Sequence, residues 1–318
     1  MTGSTQTVEP RAKPRGRRLS RRTETGTRAP SRGWAITPWL FLILPLAFLV
    51  VFTYIPVLNM FWYSFTDWNG ISKVKNYVEL TNYAQFFTRP ELFRVFLVSL
   101  YYLAGSIIQM ALALYFATIL SFSTTFKNLF KGILFFPYLI NGVAIAFVFL
   151  YFFQPGGTLD SLLSMVGVDG VKPQWLGNPD LVNFSLAGTS VWRYMGLNFV
   201  LFLGAIQSIP GGIYEAAELD GATRWHQFRY IIAPSIKPII SLSFILAISG
   251  SLSVFEIPFI MTDGANGSAT FVIQTVKTAF KFNKVGLASA MAVILLVIIL
   301  IVTWVQRRLV PDAKVDLT

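Results

Sequence analysis

The sequence contains no cysteine and a single histidine, His226. The first absence excludes a disulfide framework, thiol chemistry and cysteine–zinc sites, and the second excludes a multi-histidine metal centre. Charge is scarce too: Asp, Glu, Lys and Arg make up 13% of the chain, where soluble domains carry about a quarter. No Gly-x-x-x-x-Gly-Lys-Ser/Thr run occurs; Gly167, Gly170 and Lys172 lie near one another at the wrong spacing. The chain therefore has no phosphate cradle of its own, and any use of ATP requires another subunit. Paired carboxylates and nucleophile–base arrangements are also missing, which argues against a membrane enzyme. There is no sign of a soluble domain, an internal repeat or a heptad run.

What is abundant is apolar surface. Hydrophobic residues make up 54% of the 318 residues, with a mean hydropathy of +0.59. Apolar runs of about 20 residues suffice to cross a bilayer core of about 30 Å as helix. The pattern predicts an all-α integral membrane protein with six spans, near 37–63, 95–120, 130–153, 186–207, 238–262 and 286–306. An even count puts both termini on one side. With that side taken as cytoplasmic, inside segments carry 17 Lys and Arg against 8 outside, which favours cytoplasmic N and C termini. The bias rests on residues 1–33; without them the count is an even 8 to 8.

That first segment holds nine basic residues, from Arg11 to Arg32, among Thr, Ser, Pro and Gly. Without apolar periodicity it reads as a disordered tail. The net charge of +11 is thereby explained by orientation and anionic lipid rather than by nucleic acid. Arg17-Arg18 and Arg21-Arg22 do not make a twin-arginine signal, because no short apolar region or small-residue cleavage site follows. A membrane domain over 34–309 and a cytoplasmic tail over 310–318 complete the expected organisation.

Pro45 and Pro56 lie inside the first span, where each frees a carbonyl. Tyr54, Phe61, Trp62, Tyr63, Phe65 and Trp68 cluster at its outer end, as expected at headgroup depth. The outside loops at 64–94 and 154–185 are long enough to meet an extracytoplasmic partner, or serve only as connectors.

The polar stretch near 208–237 reads as two short helices hinged at a glycine. Ser208 and Pro210 suit a helix start. Tyr214, Glu215, Ala216, Ala217, Glu218 and Leu219 form the first helix, with Glu215 favoured near its N-terminus. Gly221, after Asp220, is the natural stop because positive φ costs it nothing. Thr223 can cap a second helix through Arg224, Phe228 and Ile232, and Pro234 and Pro238 punctuate entry into the fifth span. Two adjacent alanines leave a thin face that can sit in a partner's groove, and the acidic side chains can pair with its basic groups. The other reading is an interfacial amphipathic helix with no partner.

Glu215-Ala216-Ala217, three residues, Gly221, Phe228, Ile231 and Pro234 resemble the cytoplasmic "EAA" loop of permease subunits of binding-protein-dependent ABC importers, with Ala233 where leucine is frequent. Tyr54-Ile55-Pro56, Ser64-Phe65-Thr66-Asp67-Trp68, Phe135-Phe136-Pro137, Gly204 to Pro210 and Gly286 to Ala290 are similar to the carbohydrate, maltose-type first-permease class. Thr262-Asp263-Gly264-Ala265-Asn266-Gly267 departs from the Thr-x-Gly-Gly-Pro frequent there. The resemblance implies a six-helix, MetI-like type I importer permease fold in a prokaryotic cell membrane. It also implies a second homologous permease, an ABC ATPase dimer that docks on the loop, and an extracytoplasmic binding protein delivering a sugar or oligosaccharide. ATP and magnesium would belong to the ATPase, leaving no cofactor in this chain.

Polar groups inside spans are costly in lipid and mark candidate substrate-path positions. Arg193 and Glu256 lie at similar depth with opposite charge and suggest a pair, either an interhelical tie or part of the path. Asn141, Asn198, Gln109, Ser249 and Ser253 offer hydrogen bonds to hydroxyls, and Tyr194 and Phe255 offer faces on which a sugar can stack; helix packing is the competing role for each. His226 is read as a surface or packed residue rather than a proton relay. Two further functions compete: an ion-gradient-driven secondary transporter, which would want several buried carboxylates, and a non-transporting membrane scaffold.

Overall fold

The computed structural model describes Gly3 and residues 32–122, 127–168 and 173–309. Apart from Gly3, Arg32 and Gly33, the expected tail at 1–33 lies outside the described residues, as do Lys172 and the expected tail at 310–318. Helix α1 begins at Arg32, inside the segment read as tail.

The described chain is helical, with one isolated antiparallel bridge between Thr66 and Tyr77. In chain order, α1 (Arg32–Leu49) and α2 (Ile55–Tyr63) make the first span. Then come α3 (Thr81–Thr88), α4 (Pro90–Ser121), α5 (Lys127–Leu139), α6 (Gly142–Phe153), α7 (Thr158–Met165) and α8 (Val182–Gln207). The polar loop holds α9 (Gly211–Leu219), α10 (Arg224–Gln227) and α11 (Ala233–Ser235). The last elements are α12 (Lys237–Leu252), α13 (Glu256–Thr262), α14 (Phe271–Val276) and α15 (Val285–Leu309).

Among the described residues, four stretches are long and apolar enough to cross a membrane as single spans: Trp39–Tyr63, Pro90–Ser121, Lys237–Thr262 and Val285–Arg308. The third expected span is instead broken, with Asn128–Leu139 and Gly142–Phe153 bent by 96°. The fourth, α8, is 26 residues, about 39 Å at 1.5 Å per residue, and α9 turns away from it by 71°. Six crossings result when each bent pair is counted once. The fifth span, read as one helix over 238–262, is interrupted between Leu252 and Glu256.

By contacts the chain forms two units, divided between Ile55 and Pro56. In the first unit, Trp39 to Ile55 are exposed along their whole length, as a lipid-facing helix requires. Its π turn, Val50–Tyr54, is closed by a bond from the Ile55 N–H to the Val50 carbonyl. Proline cannot donate to the carbonyl four residues back and its ring crowds that carbonyl; a π turn just before Pro56 accommodates both defects. A second π turn, Phe228–Ile232, lies just before Pro234 for the same reason.

The second unit has three apolar clusters. One joins Met110, Ala113 and Ala117 of α4 to Phe199, Phe202 and Ile206 of α8 and to Ile232 and Ile236 of the polar loop. Another joins Val98 and Tyr102 of α4, Ala146 and Phe153 of α6, Leu186 of α8 and Ile257 and Met261 of α13. The third sets Phe86 of α3 and Leu92 and Val95 of α4 against Phe271, Leu287 and Met291. Small residues permit the close approaches: a Cβ on Gly196 would lie 2.5 Å from the Leu134 carbonyl, so α8 meets α5 backbone to backbone.

The segment after α2 seats on the start of α15. Buried Asn82 donates to the Ser64 and Thr66 carbonyls, both at 2.8 Å. The Gly286 N–H donates to the Trp68 carbonyl at 2.9 Å, and a Cβ on Gly286 would collide with the Thr66 carbonyl. Asp67 accepts from the Asn76 side chain and backbone at 2.9 Å, which holds its carboxyl below the usual carboxylate range. Replacing Asn82 by alanine strands two buried carbonyls. We expect a loss of about 2 kcal/mol, read as a lower thermal midpoint in detergent, with Lys73→Ala, an exposed side chain of the same loop, as a near-neutral comparison.

Candidate functional site

Two features draw polar residues together: the loop between α8 and α12, and a cleft between α4, α8 and the interrupted fifth span.

The loop departs from expectation at its start. Ser208 ends α8 rather than capping α9, its hydroxyl donating to the Ala205 carbonyl at 2.7 Å. Pro210 takes the cap position and α9 begins at Gly211, so Glu215 lies a turn inside the helix rather than at its N-terminus. The other end matches the reading. Gly221 has φ +79°, its N–H donates to the Glu218 carbonyl at 3.0 Å, and the Ala222 N–H donates to the Ala217 carbonyl at 2.9 Å. That pair of bonds is a Schellman stop. Thr223 then caps α10, its hydroxyl accepting from the His226 N–H while His226 Nδ1 accepts from the Thr223 N–H. The one histidine is thus a capping residue. Buried Gln227 reaches back from α10 to Glu218 at 3.5 Å, tying the two short helices.

Glu215, Ala216, Glu218, Asp220 and Gly221 are exposed, and Ala217 is half-buried. Large apolar side chains share that exposure: Leu219 is 90% exposed and Trp225 66%. The opposite side of the loop is anchored. Tyr214, Phe228, Ile232 and Ile236 pack into the cluster formed by α4 and α8, and the Arg224 guanidinium lies 4.4 Å from the Phe122 ring at the end of α4.

The cleft encloses about 490 Å³. Of the candidate path residues, Gln109, Tyr194, Asn198, Ser253, Phe255 and Glu256 line it. Arg193, Asn141 and Ser249 are not among its lining. Asn141 instead caps α6, accepting from the Val143 N–H at 2.8 Å, because a helix restarting in an apolar run needs a partner for its first N–H groups. The sequence reading missed Tyr102 and Ser243. Both are buried, both line the cleft, and neither hydroxyl has a hydrogen-bond partner among the described residues. No local motif flags them; they line the same cleft from α4 and α12.

Arg193 and Glu256 do meet. Arg193 Nη1 donates to Glu256 Oε2 at 2.7 Å, with side chains 13% and 39% exposed. The pair rests on Gly142, the first residue of α6, where a Cβ would overlap both side chains. Asn141-Gly142 inside an apolar run was the available sequence signal for this break. The cleft thus offers hydroxyls, amides, two aromatic faces and one carboxylate already engaged by an arginine. Such a lining can hydrogen-bond and stack a hydroxyl-rich molecule and carries no arrangement for bond breaking.

The loop geometry yields a prediction. Gly221→Ala places a side chain in the left-handed region at about 1–2 kcal/mol, whereas Gly204, with open space and an ordinary φ, accepts alanine. Amide exchange across 211–232 should quicken in the first variant and stay unchanged in the second.

Comparison with known proteins agrees with this architecture. "Probable ABC transporter permease protein YurN" of Bacillus subtilis (strain 168) is 32% identical over 285 residues, covering 88% of this chain and 97% of that protein. "Multiple sugar-binding transport system permease protein MsmF" of Streptococcus mutans is 31% identical over 274 residues, covering 85% and 94%. A chain of the bacterial alginate ABC transporter, solved with an alginate pentasaccharide-bound periplasmic protein, superposes with a TM-score of 0.77 at 20% identity over 87% of this chain and 94% of that one. Residues 109–315 match the family described as binding-protein-dependent transport system inner membrane component, and the chain belongs to that family.

Proposed function

We propose that this chain is one of two permease subunits of an ATP-driven sugar or oligosaccharide importer, and that residues 208–237 receive the ATPase. The observation that carries the reading is the exposed, rigidly stopped knob at Tyr214–Arg224. Its exposed face bears Glu215, Glu218, Asp220 and Leu219, and its other face is fixed into three spans. A push on such a body moves α4, α8 and α12 together. In this reading the loop and both termini are cytoplasmic, a binding protein delivers cargo from the opposite side, and ATP and magnesium are held by the ATPase dimer. Cycles of ATP binding and hydrolysis would alternate the access of the cleft.

Carbohydrate cargo is supported by the lining and by the names of relatives, which include "Trehalose/maltose transport system permease protein MalF" of Thermococcus litoralis and "Arabinooligosaccharides transport system permease protein AraP" of Bacillus subtilis. Polar side chains that line the cleft, such as Gln109, Asn198 and Ser253, can pair with a sugar's hydroxyls. A gradient-driven transporter is disfavoured, because among the described residues the one carboxylate lining the cleft is already paired with Arg193.

Gentle detergent purification of the tagged protein from its native membrane should capture an ATPase and a second permease, and Gly221→Pro should lose the ATPase while its spans stay inserted. A stable wild-type chain that purifies alone would contradict the reading. For cargo, Tyr194→Phe, at a tyrosine that lines the cleft and stays 37% exposed, should leave assembly intact. It should raise about tenfold the concentration of loaded binding protein needed for half-maximal ATPase stimulation, with maltotriose, trehalose and arabinotriose tried in turn as the loading sugar.

A further inference from the structure

We propose that Arg193, Glu256 and Gly142 form a latch that positions the two restarted half-helices beside the cleft, and that the latch parts in each transport cycle. This rests on the importer reading above and adds to it the contact whose release couples cargo arrival to ATP use.

The contact lies where two helices are broken. Gly142 opens α6 after the 96° break in the third span, and Glu256 opens α13 after the interruption in the fifth. Arg193 comes from the unbroken α8. Beyond the breaks α6 and α13 pack closely on each other, through Ala146, Ile257 and Met261. They therefore pack as one body, joined to α8 by the ion pair and by the apolar cluster that includes Leu186, with the chain's helical breaks at 140–141 and 253–255 on its inner edge. A bond between two continuous helices would simply stiffen them; here Glu256 and the Gly142 seat each adjoin a break, and Arg193 ties both to the continuous α8.

The pair is also made to be released. Glu256 faces the cleft and keeps 39% of its side chain exposed, so water or a cargo hydroxyl can take over its carboxylate and lower the cost of separation. Arg193 has unspent capacity: its Nε is buried without a hydrogen-bond partner among the described residues, and its guanidinium lies 5.0 Å from the Tyr194 ring, which lines the cleft. Gly142 lets the ionic contact approach the helix axis, since any side chain there would hold the charges apart.

The test is ATP hydrolysis by the reconstituted complex of this chain with its partner permease, ATPase subunits and binding protein, with and without maltotriose, trehalose or arabinotriose as loading sugar. Arg193→Gln and Glu256→Gln should raise the unstimulated rate and lower the stimulation ratio about tenfold, within the range of typical coupling effects, while the stimulated maximum holds. Gly142→Ala keeps both charges and should do the same. The exchange Arg193→Glu with Glu256→Arg should restore the ratio. Ratios at the wild-type value in all single variants would overturn the proposal. So would an exchange that restores assembly but not the ratio, because the pair would then serve folding alone. If the neutral variants fail to assemble, Gly142→Ala and the exchange carry the same comparison, and failure of these as well would overturn the latch. A wild-type complex that no sugar stimulates would instead remove the importer reading itself.

Discussion

Lipid offers a peptide group no hydrogen bond, so every interruption of a helix in this chain has to be satisfied from within the protein. That constraint accounts for the polar groups gathered at the two helix breaks. The break in the third span is closed by the Asn141 side chain on the Val143 N–H. At the break in the fifth, the Ser253 N–H bonds to the Ser249 and Gly250 carbonyls, and the Thr270 hydroxyl donates to the Val254 carbonyl at 2.7 Å. Having supplied these groups, the fold gathers the remaining polar side chains around them. The cleft, the ion pair and both hinges are consequences of the same two interruptions.

A second consequence is mechanical continuity. The anchored side of the polar loop shares one apolar cluster with α4 and α8, and Asn198, next to Phe199 of that cluster, lines the cleft. Close-packed interiors transmit displacement rather than absorb it. The loop's own geometry adds stiffness through the Schellman stop at Gly221, the Thr223 cap and the Gln227–Glu218 tie. A partner that moves the knob therefore moves the floor of the cleft.

Much of this was legible in the residues. Apolar run lengths located six crossings, and the glycine and threonine between Leu219 and Arg224 located the hinge and cap of the loop, because φ preference and capping are local properties. The Arg193–Glu256 pair followed from depth and charge. What was not legible depends on how helices cross. The runs at 130–153 and 238–262 look uniformly apolar, yet each is broken by a short polar step whose satisfaction comes partly from elsewhere, as with Thr270 at Val254. Tyr102 and Ser243 are unremarkable in sequence and share only the lining of the cleft. Ser208 and Pro210 carry the right chemistry for a helix start, but α8 runs on through that position and claims the serine for its own end.

The central claim is that the exposed face of 208–237 is covered by a partner. Because the chain has no cysteine, Leu219→Cys places a single thiol at the loop's most exposed apolar position. Its rate of modification by a membrane-impermeant maleimide in inverted vesicles can be compared with and without the co-expressed ATPase. The account predicts fast modification of the chain alone and protection of about tenfold or more, as docking buries the site. Equal rates in both vesicles, from a chain that inserts normally, would contradict it.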